Sequence, residues 1–145
     1  MSVVAASAPS RWKSACLWVV RGLLALAFAG AGGAKLYGVP MLVLEFEHIG
    51  LGQWFRYFTG ALEISGAFLI LVPSLAAFGA LLLICIMVGA TIAHLFVIGG
   101  SPVPALVLLA LSAIVAYAKR GQIAAVLDAS DAALPDEQTG PASQR

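Results

Sequence analysis

Three ionisable side chains, Lys35, Glu63 and His94, lie inside or at the ends of long apolar stretches of the sequence. An acid, a base and an imidazole that meet in such an environment can form an ion pair, pass a proton or hydrogen-bond the polar head of a ligand. Glu63 interrupts "GALEISGAFLILVP", residues 60–73, which otherwise holds only apolar or small residues. A charge at mid-membrane costs about 2.5–3.5 kcal/mol, so we expect Glu63 to face a partner rather than lipid.

The three groups are predicted to lie at similar depth. Glu63 follows Arg56 by seven residues, or about 10 Å along a helix, while Lys35 and His94 each lie near one end of an apolar run. We predict that Lys35 pairs with Glu63 and that His94 completes a polar pocket open to the outer side. In the alternative, Lys35 extends to the membrane surface, His94 lies at the interface and Glu63 is neutral, bonded to Ser65 or backbone.

Neighbours on the same helical faces extend this candidate pocket. Thr59 lies one turn before Glu63, while Met87 and Thr91 precede His94 by about two turns and one turn. Glycine and alanine make up much of the rest of these faces, and small residues allow membrane helices to approach closely. We therefore expect the faces to point into a helical bundle.

Two other groups of charged residues are predicted to lie outside the pocket. Arg21 lies fourteen residues before Lys35 on nearly the same helical face, but we expect it to anchor its helix at the inner membrane surface. Glu45, Glu47 and His48 form an E-x-E-H sequence, which is a weak metal signature. We interpret it as a solvated face and predict no metal site.

The composition indicates a membrane protein. Of the 145 residues 61% are hydrophobic and 10% are charged, and the mean hydropathy is +1.00. So few charges cannot cover the surface of a soluble domain. A net charge of +1, without basic patches interleaved with aromatic residues, argues against nucleic-acid binding. The two cysteines, Cys16 and Cys85, form no C-x-x-C and are interpreted as small apolar residues.

The apolar residues form continuous runs, which predict helices rather than strands. Only the first and third runs have the length that a bilayer requires, and the other two must borrow flanking residues. The predicted fold is all-α, a four-helix transmembrane bundle with a short amphipathic, interfacial segment over residues 38–56 between helices 1 and 2. The runs cover Trp18–Tyr37, Tyr57–Val72, Leu75–Ile98 and Val103–Ala118.

We predict three regions: a disordered N-terminal arm (1–15), the four-helix membrane domain (16–120) and a mostly disordered C-terminal tail (121–145). Basic residues flank the start of the first run and the end of the fourth. Because Lys and Arg favour the cytoplasmic side, both termini are predicted to be cytoplasmic, in a bacterial inner membrane.

Several segments in this order resemble the DoxX-like family of small four-helix membrane proteins. They are "RGLLALAFAGAGGAKL", "FEHIGL", "GALEISGAFLIL" and "IMVGATIAHLF". The resemblance covers residues 18–118. It places Arg21, Lys35, Glu63, Met87 and His94 on positions that recur in the family.

The resemblance implies a four-span membrane protein, but it does not name a reaction. One member is a subunit of a thiosulfate:quinone oxidoreductase, others are linked to redox or thiol stress, and animal members assist membrane-protein assembly. Fold membership alone does not give function. The sequence carries no haem, flavin or nucleotide signature, so we expect no catalysis by this chain alone.

Two functions remain open from the sequence. The first is an accessory membrane subunit of a quinone- or sulfur-linked redox system, with quinone as the candidate cofactor and a soluble or membrane redox partner. The second is a non-enzymatic membrane protein for lipid or small-solute handling or for membrane-protein assembly. The lipid bilayer is a partner in both, and the sequence does not set the oligomeric state.

Overall fold

A computed structural model describes residues 11–133, with side chains described to residue 130. This part of the chain is all-α and contains no strand, as predicted. A π-helical turn, His94–Ile98, continues α4. The helices are α1 (Arg11–Tyr37), α2 (Pro40–Ile49), α3 (Gln53–Leu71), α4 (Ala76–Ala93), α5 (Val103–Ala118) and α6 (Arg120–Ala133).

Glycine and proline set the breaks between α1, α2 and α3. Gly38 follows α1 with a φ of 84°, a left-handed conformation that favours glycine. Pro40 opens α2, where its missing N–H has no helical partner to lose. Gly50 ends α2 in the left-handed conformation (φ 79°) and donates its N–H to the carbonyl of Glu47. These short breaks fold α2 back beside the antiparallel α1–α3 pair.

The long helices pack as antiparallel neighbours around one apolar core. The start of α1 contacts the end of α3, and α4 packs between α3 and α5. Fully buried side chains from α1, α3, α4 and α5 form the core. They include Leu24, Phe28, Ile70, Leu83 and Val115.

The outer surface of the bundle is apolar. Leu26, Phe68 and Phe96 are among the exposed large side chains, with exposed fractions of 74%, 68% and 80%. Exposed apolar surface on this scale is typical of a protein that lies in lipid. By length and composition α1 and the continuous helix Ala76–Ile98 can each cross a membrane. The chain is an integral membrane protein.

The predicted four spans are not confirmed by this criterion. A third span requires α5 and α6 to act together across a bend of 56°. α3 does not qualify, because Arg56 and Glu63 lower its mean hydropathy. Both of these side chains are buried against neighbouring helices, with exposed fractions of 3% and 1%. Mean hydropathy therefore counts two polar residues against α3 as a span, although neither of them faces lipid.

The N-terminal boundary differs from the predicted regions, because residues 11–15, predicted in the disordered arm, belong to α1. The tail, predicted to be mostly but not wholly disordered, starts with helix over residues 121–133 of α6. Gln122 holds α6 against the α3–α4 turn by donating to the carbonyl of Pro73 and accepting the N–H of Ala77 at 3.0 Å. The disorder predicted for residues 1–10 and 134–145 concerns residues outside the described part.

Candidate functional site

Lys35 and Glu63 form an ion pair between α1 and α3. Lys35 Nζ lies 2.9 Å from Glu63 Oε1 and 2.8 Å from Oε2. The side chains are 15% and 2% exposed, so the contact is shielded from solvent. The predicted pairing is therefore confirmed, and it is the one ion pair among the side chains of residues 11–130.

Two glycines set the distance at which this pair forms. A Cβ built on Gly32 would lie 2.7 Å from the carbonyl oxygen of Gly60, and one on Gly60 would lie 3.0 Å from that of Gly32. The helix backbones therefore touch one turn before Lys35 and one turn before Glu63. Any larger residue at either glycine would separate the two charged groups.

A buried arginine holds the end of α1 on which Lys35 lies. Arg56 donates from Nε to Gln53 Oε1 at 2.7 Å and from Nη1 to the carbonyl of Lys35. Its guanidinium lies over the ring of Tyr57, 4.2 Å from the centroid. Carbonyls at a helix end lack partners within the helix, so Arg56 caps α1. In the sequence, Arg56 served only as the reference for the depth of Glu63. The signal that was missed is an arginine in the first turn of an apolar helix, three residues after a glutamine.

Arg21 makes the matching contact at the opposite end of the same helix pair. It donates from Nε to the carbonyl of Ile70 at 2.7 Å and from Nη2 to that of Leu71 at 2.8 Å, and it is 1% exposed. The guanidinium therefore caps α3 inside the bundle, and the expected anchor at the inner membrane surface stays a prediction. These backbone acceptors lie about fifty residues away along the chain, and no residue pattern indicates them.

A cavity of about 750 Å³ lies beside the ion pair, between α1, α3, α4 and the start of α5, with α2 covering it. Aliphatic and aromatic side chains form most of its wall. The polar or ionisable residues in the wall are Lys35, Glu45, Thr59, Glu63 and His94. Of the predicted pocket residues, Lys35, Thr59, Glu63, Met87 and His94 therefore line one cavity.

Thr91 and Arg21 do not line this cavity. The Thr91 hydroxyl donates to the carbonyl of Met87 at 2.7 Å, one turn back in its own helix. Thr59 also bonds its own helix, with carbonyls at 3.0 and 3.1 Å, although it reaches the wall. Thr91 is therefore a structural residue of α4.

His94 lies at the junction between α4 and its π-helical turn. Its Nδ1 donates to the carbonyl of Gly99 at 3.4 Å, a long bond that leaves Nε2 without a protein partner. His94 makes no hydrogen bond with Lys35 or Glu63, although all three line the cavity. π-helical turns are found often at functional sites, because they change the direction of side chains.

Sequence reasoning missed two cavity residues, Glu45 and Cys85. Glu45 reaches the wall because α2 folds over the cavity with Phe46 buried against the Phe55 ring, 5.8 Å between centroids. The predicted solvated face is thus only partly solvated, while His48 is exposed and donates to its own helix. Within residues 11–130 no three metal-binding side chains come together.

The charges of the cavity favour a neutral occupant. Glu63 neutralises the Lys35 ammonium, and Glu45 adds a second carboxylate, so the wall has no spare fixed positive charge for an anion. Lys35 has three N–H donors and Glu63 uses two of them. A molecule with an apolar body and a neutral head that accepts hydrogen bonds suits this wall.

Comparison with known proteins gave one match. The family model described as DoxX-like family matches residues 19–126. No curated protein and no solved structure matches the chain.

Proposed function

Because the chain belongs to the DoxX-like family, and because an ion pair lies beside an apolar cavity, we propose that it is an accessory membrane subunit of a redox system. The cavity binds a quinone that reaches it from the bilayer. A separate soluble or membrane partner carries the catalytic group. The observation that supports the proposal most is the pairing of Lys35 with Glu63 in the wall of a mostly apolar cavity.

The residues of the cavity fit a quinone. Its head is neutral and carries two carbonyl acceptors, and its isoprenoid tail is apolar. The third N–H of Lys35 can donate to one carbonyl, and the aromatic ring of Phe58 offers apolar contact for the ring and tail. The carboxylate of Glu63 accepts two hydrogen bonds from the Lys35 ammonium and so fixes the position of the ammonium in the wall.

His94 is the candidate proton-handling group. Its Nδ1 donates to Gly99, so in the neutral ring Nε2 is an acceptor. A bound quinone supplies two-electron, two-proton chemistry to the partner. His94 Nε2 would accept one of the two protons that the reduced head releases as its two electrons pass to the partner.

The same helices support a proposed arrangement in the membrane. α1, α3, α4 and α5 form a four-helix transmembrane bundle, in which the charged residues of α3 are covered by its neighbours. Arg11, Lys13, Lys119 and Arg120 mark one end of this bundle as cytoplasmic. Both termini then lie in the cytoplasm of a bacterial cell, and α2 lies at the outer surface.

The apolar wall also favours a second candidate function. A neutral lipid or small amphiphile could occupy the same cavity in a protein for lipid handling or membrane-protein assembly. In that case neither a redox partner nor the Nε2 of His94 is needed. The two functions differ in the molecule that the cavity retains.

The test is the content of the protein after purification from its membrane in a mild detergent. Mass spectrometry of an organic extract is expected to find an isoprenoid quinone with the wild type and with Thr91→Ala, a control outside the cavity. Glu63→Gln and His94→Ala are expected to retain severalfold less. Only phospholipid in every extract would favour the second function and contradict the first.

A further inference from the structure

A second groove, of about 580 Å³, lies at the opposite end of the bundle from the candidate site, between the start of α1 and the end of α5. Its charged residues are Lys13 and Lys119, one from each helix. Among the side chains of residues 11–130 neither lysine pairs with a carboxylate. The groove therefore has net positive charge that no described group balances.

The rest of the groove is apolar or aromatic. Leu17 and Val20 from α1 face Ile114 from α5, and the indole of Trp12 lies at the same end. Trp residues favour the level of lipid headgroups, and Lys or Arg near helix ends favours anionic lipids. Positive charge at the rim and apolar surface below it match the order of groups along a phospholipid.

We infer that this groove binds an anionic phospholipid, with the phosphate between Lys13 and Lys119 and the start of one acyl chain against Leu17, Val20 and Ile114. Charge complementarity and continuity with the bilayer identify the occupant. A zwitterionic lipid carries its own cation and gains less from the two lysines, and free phosphate leaves the apolar surface uncovered. The inference does not depend on quinone binding.

The first test compares lipids retained by the full chain in mixed phosphatidylglycerol and phosphatidylcholine nanodiscs. After mild extraction, native mass spectrometry is expected to show preferential retention of phosphatidylglycerol. Each lysine near an anionic surface contributes about a fivefold preference, so Lys13→Gln with Lys119→Gln should reduce the preference by about tenfold or more. Arg11→Gln with Arg120→Gln removes the same charge outside the groove and should have little effect. An equal loss of phosphatidylglycerol preference in both double variants would contradict lipid binding in this groove.

A second measurement leaves the lysines unchanged. With Trp18→Phe and Trp54→Phe, Trp12 remains the sole indole. Its fluorescence should be quenched more by brominated phosphatidylglycerol than by brominated phosphatidylcholine at equal content, and excess inorganic phosphate should not reverse this. Equal quenching by the two lipids, or reversal by phosphate, would contradict a phospholipid site.

The acidic C-terminal tail is the other candidate occupant. Asp136 and Glu137 lie in that tail, beyond the described residues. A zero-length carbodiimide should form few links from these carboxylates to Lys13 or Lys119 in phosphatidylglycerol bilayers. Abundant links that phosphatidylglycerol does not reduce would assign the groove to the tail and overturn the inference.

Discussion

The Lys35–Glu63 pair is stable as a unit because, among the side chains of residues 11–130, neither partner forms another ion pair. Taking one charge out of water costs several kcal/mol, and the partner offsets that cost only while both groups are ionised and in contact. Both carboxylate oxygens of Glu63 accept from the same ammonium, at 2.9 and 2.8 Å. The loss of one partner should therefore be worse than the loss of both.

The first prediction concerns this coupling. Lys35→Met should lower the stability of the detergent-solubilised protein by about 3 kcal/mol, because it leaves the Glu63 carboxylate buried alone. Adding Glu63→Gln should restore part of the loss. A double-mutant cycle from denaturant unfolding measures the interaction energy.

The control for this cycle is Glu47→Gln, which removes an exposed carboxylate on α2. It should change stability by less than about 0.5 kcal/mol. Additive effects of Lys35→Met and Glu63→Gln would show that the two residues do not interact.

The pair could be predicted from the sequence, whereas its capping arginines could not. Lys35 and Glu63 were both anomalous within apolar runs, and depth along the helix suggested that they meet. The acceptors of Arg21 and Arg56 are backbone carbonyls. Every residue carries the same backbone carbonyl, whatever its side chain. No pattern of residue types therefore identifies which carbonyls are used.

At the scale of the elements, α1 and α3 are joined at both ends by arginine caps and in between by a glycine contact. Arg21 on α1 caps the end of α3, and Arg56 on α3 caps the end of α1. The Gly32–Gly60 contact lies between them. This pair of helices is thus the rigid part that positions the ion pair.

The second prediction tests the glycine contact. Gly32→Val should destabilise the protein by about 2 kcal/mol and separate Lys35 from Glu63, because a Cβ at Gly32 collides with backbone that cannot move aside. Thermal unfolding in detergent gives the stability change. Gly33→Val is the matched control, since no atom lies within 4 Å of a Cβ there. Equal effects of the two variants would argue against close contact at Gly32.

The third prediction tests the cap that Arg21 provides. Arg21→Met should lower stability by about 3 kcal/mol, because it removes two hydrogen bonds from a charged donor and leaves the carbonyls of Ile70 and Leu71 without a partner. Chemical denaturation measures the loss. Arg120→Met removes a guanidinium that is exposed and donates to the carbonyl of Tyr117, at the nearby end of α5, at 3.2 Å, so it should be nearly neutral. A neutral Arg21→Met would exclude a structural cap.

Helix existence was predictable from continuous apolar runs, but helix ends and the π-helical turn were not. α1 is already helical at Arg11, ahead of the apolar run that starts at Trp18, because no helix breaker lies between them. The π-helical turn, His94–Ile98, lies inside the third apolar run. Propensity cannot distinguish it from a regular α-helix.

At the scale of the whole molecule, the proposed orientation places Glu47 and Lys119 on opposite sides of the membrane. In a background with Cys16→Ser and Cys85→Ala, Glu47→Cys should react with an impermeant maleimide in intact cells. Lys119→Cys should react only after permeabilisation. Labelling of both from the same side would contradict the four-span bundle.

The cavity itself was predicted only in part. Three ionisable groups at one depth indicated a pocket, and five of the predicted residues do line one cavity. The position of α2 over the cavity could not be predicted from the sequence, because it depends on the two glycine turns at either end of α2. Glu45 and Phe46 lie on this helix. The periodicity of apolar residues indicates which face of each helix is buried. A cavity forms where the side chains on the buried faces of neighbouring helices leave space between them, and periodicity does not reveal this.

The most direct test of the account is photolabelling of the cavity with an azido-quinone, followed by mass spectrometric mapping of the modified residues. The wild type should be labelled on cavity-lining peptides, and excess unlabelled quinone should prevent it. Ala90→Trp fills the cavity and should abolish labelling, whereas Val88→Trp, on the same helix outside the cavity, should not. Labelling that is unchanged in Ala90→Trp, or spread over the lipid-facing surface, would contradict quinone binding beside Lys35 and Glu63.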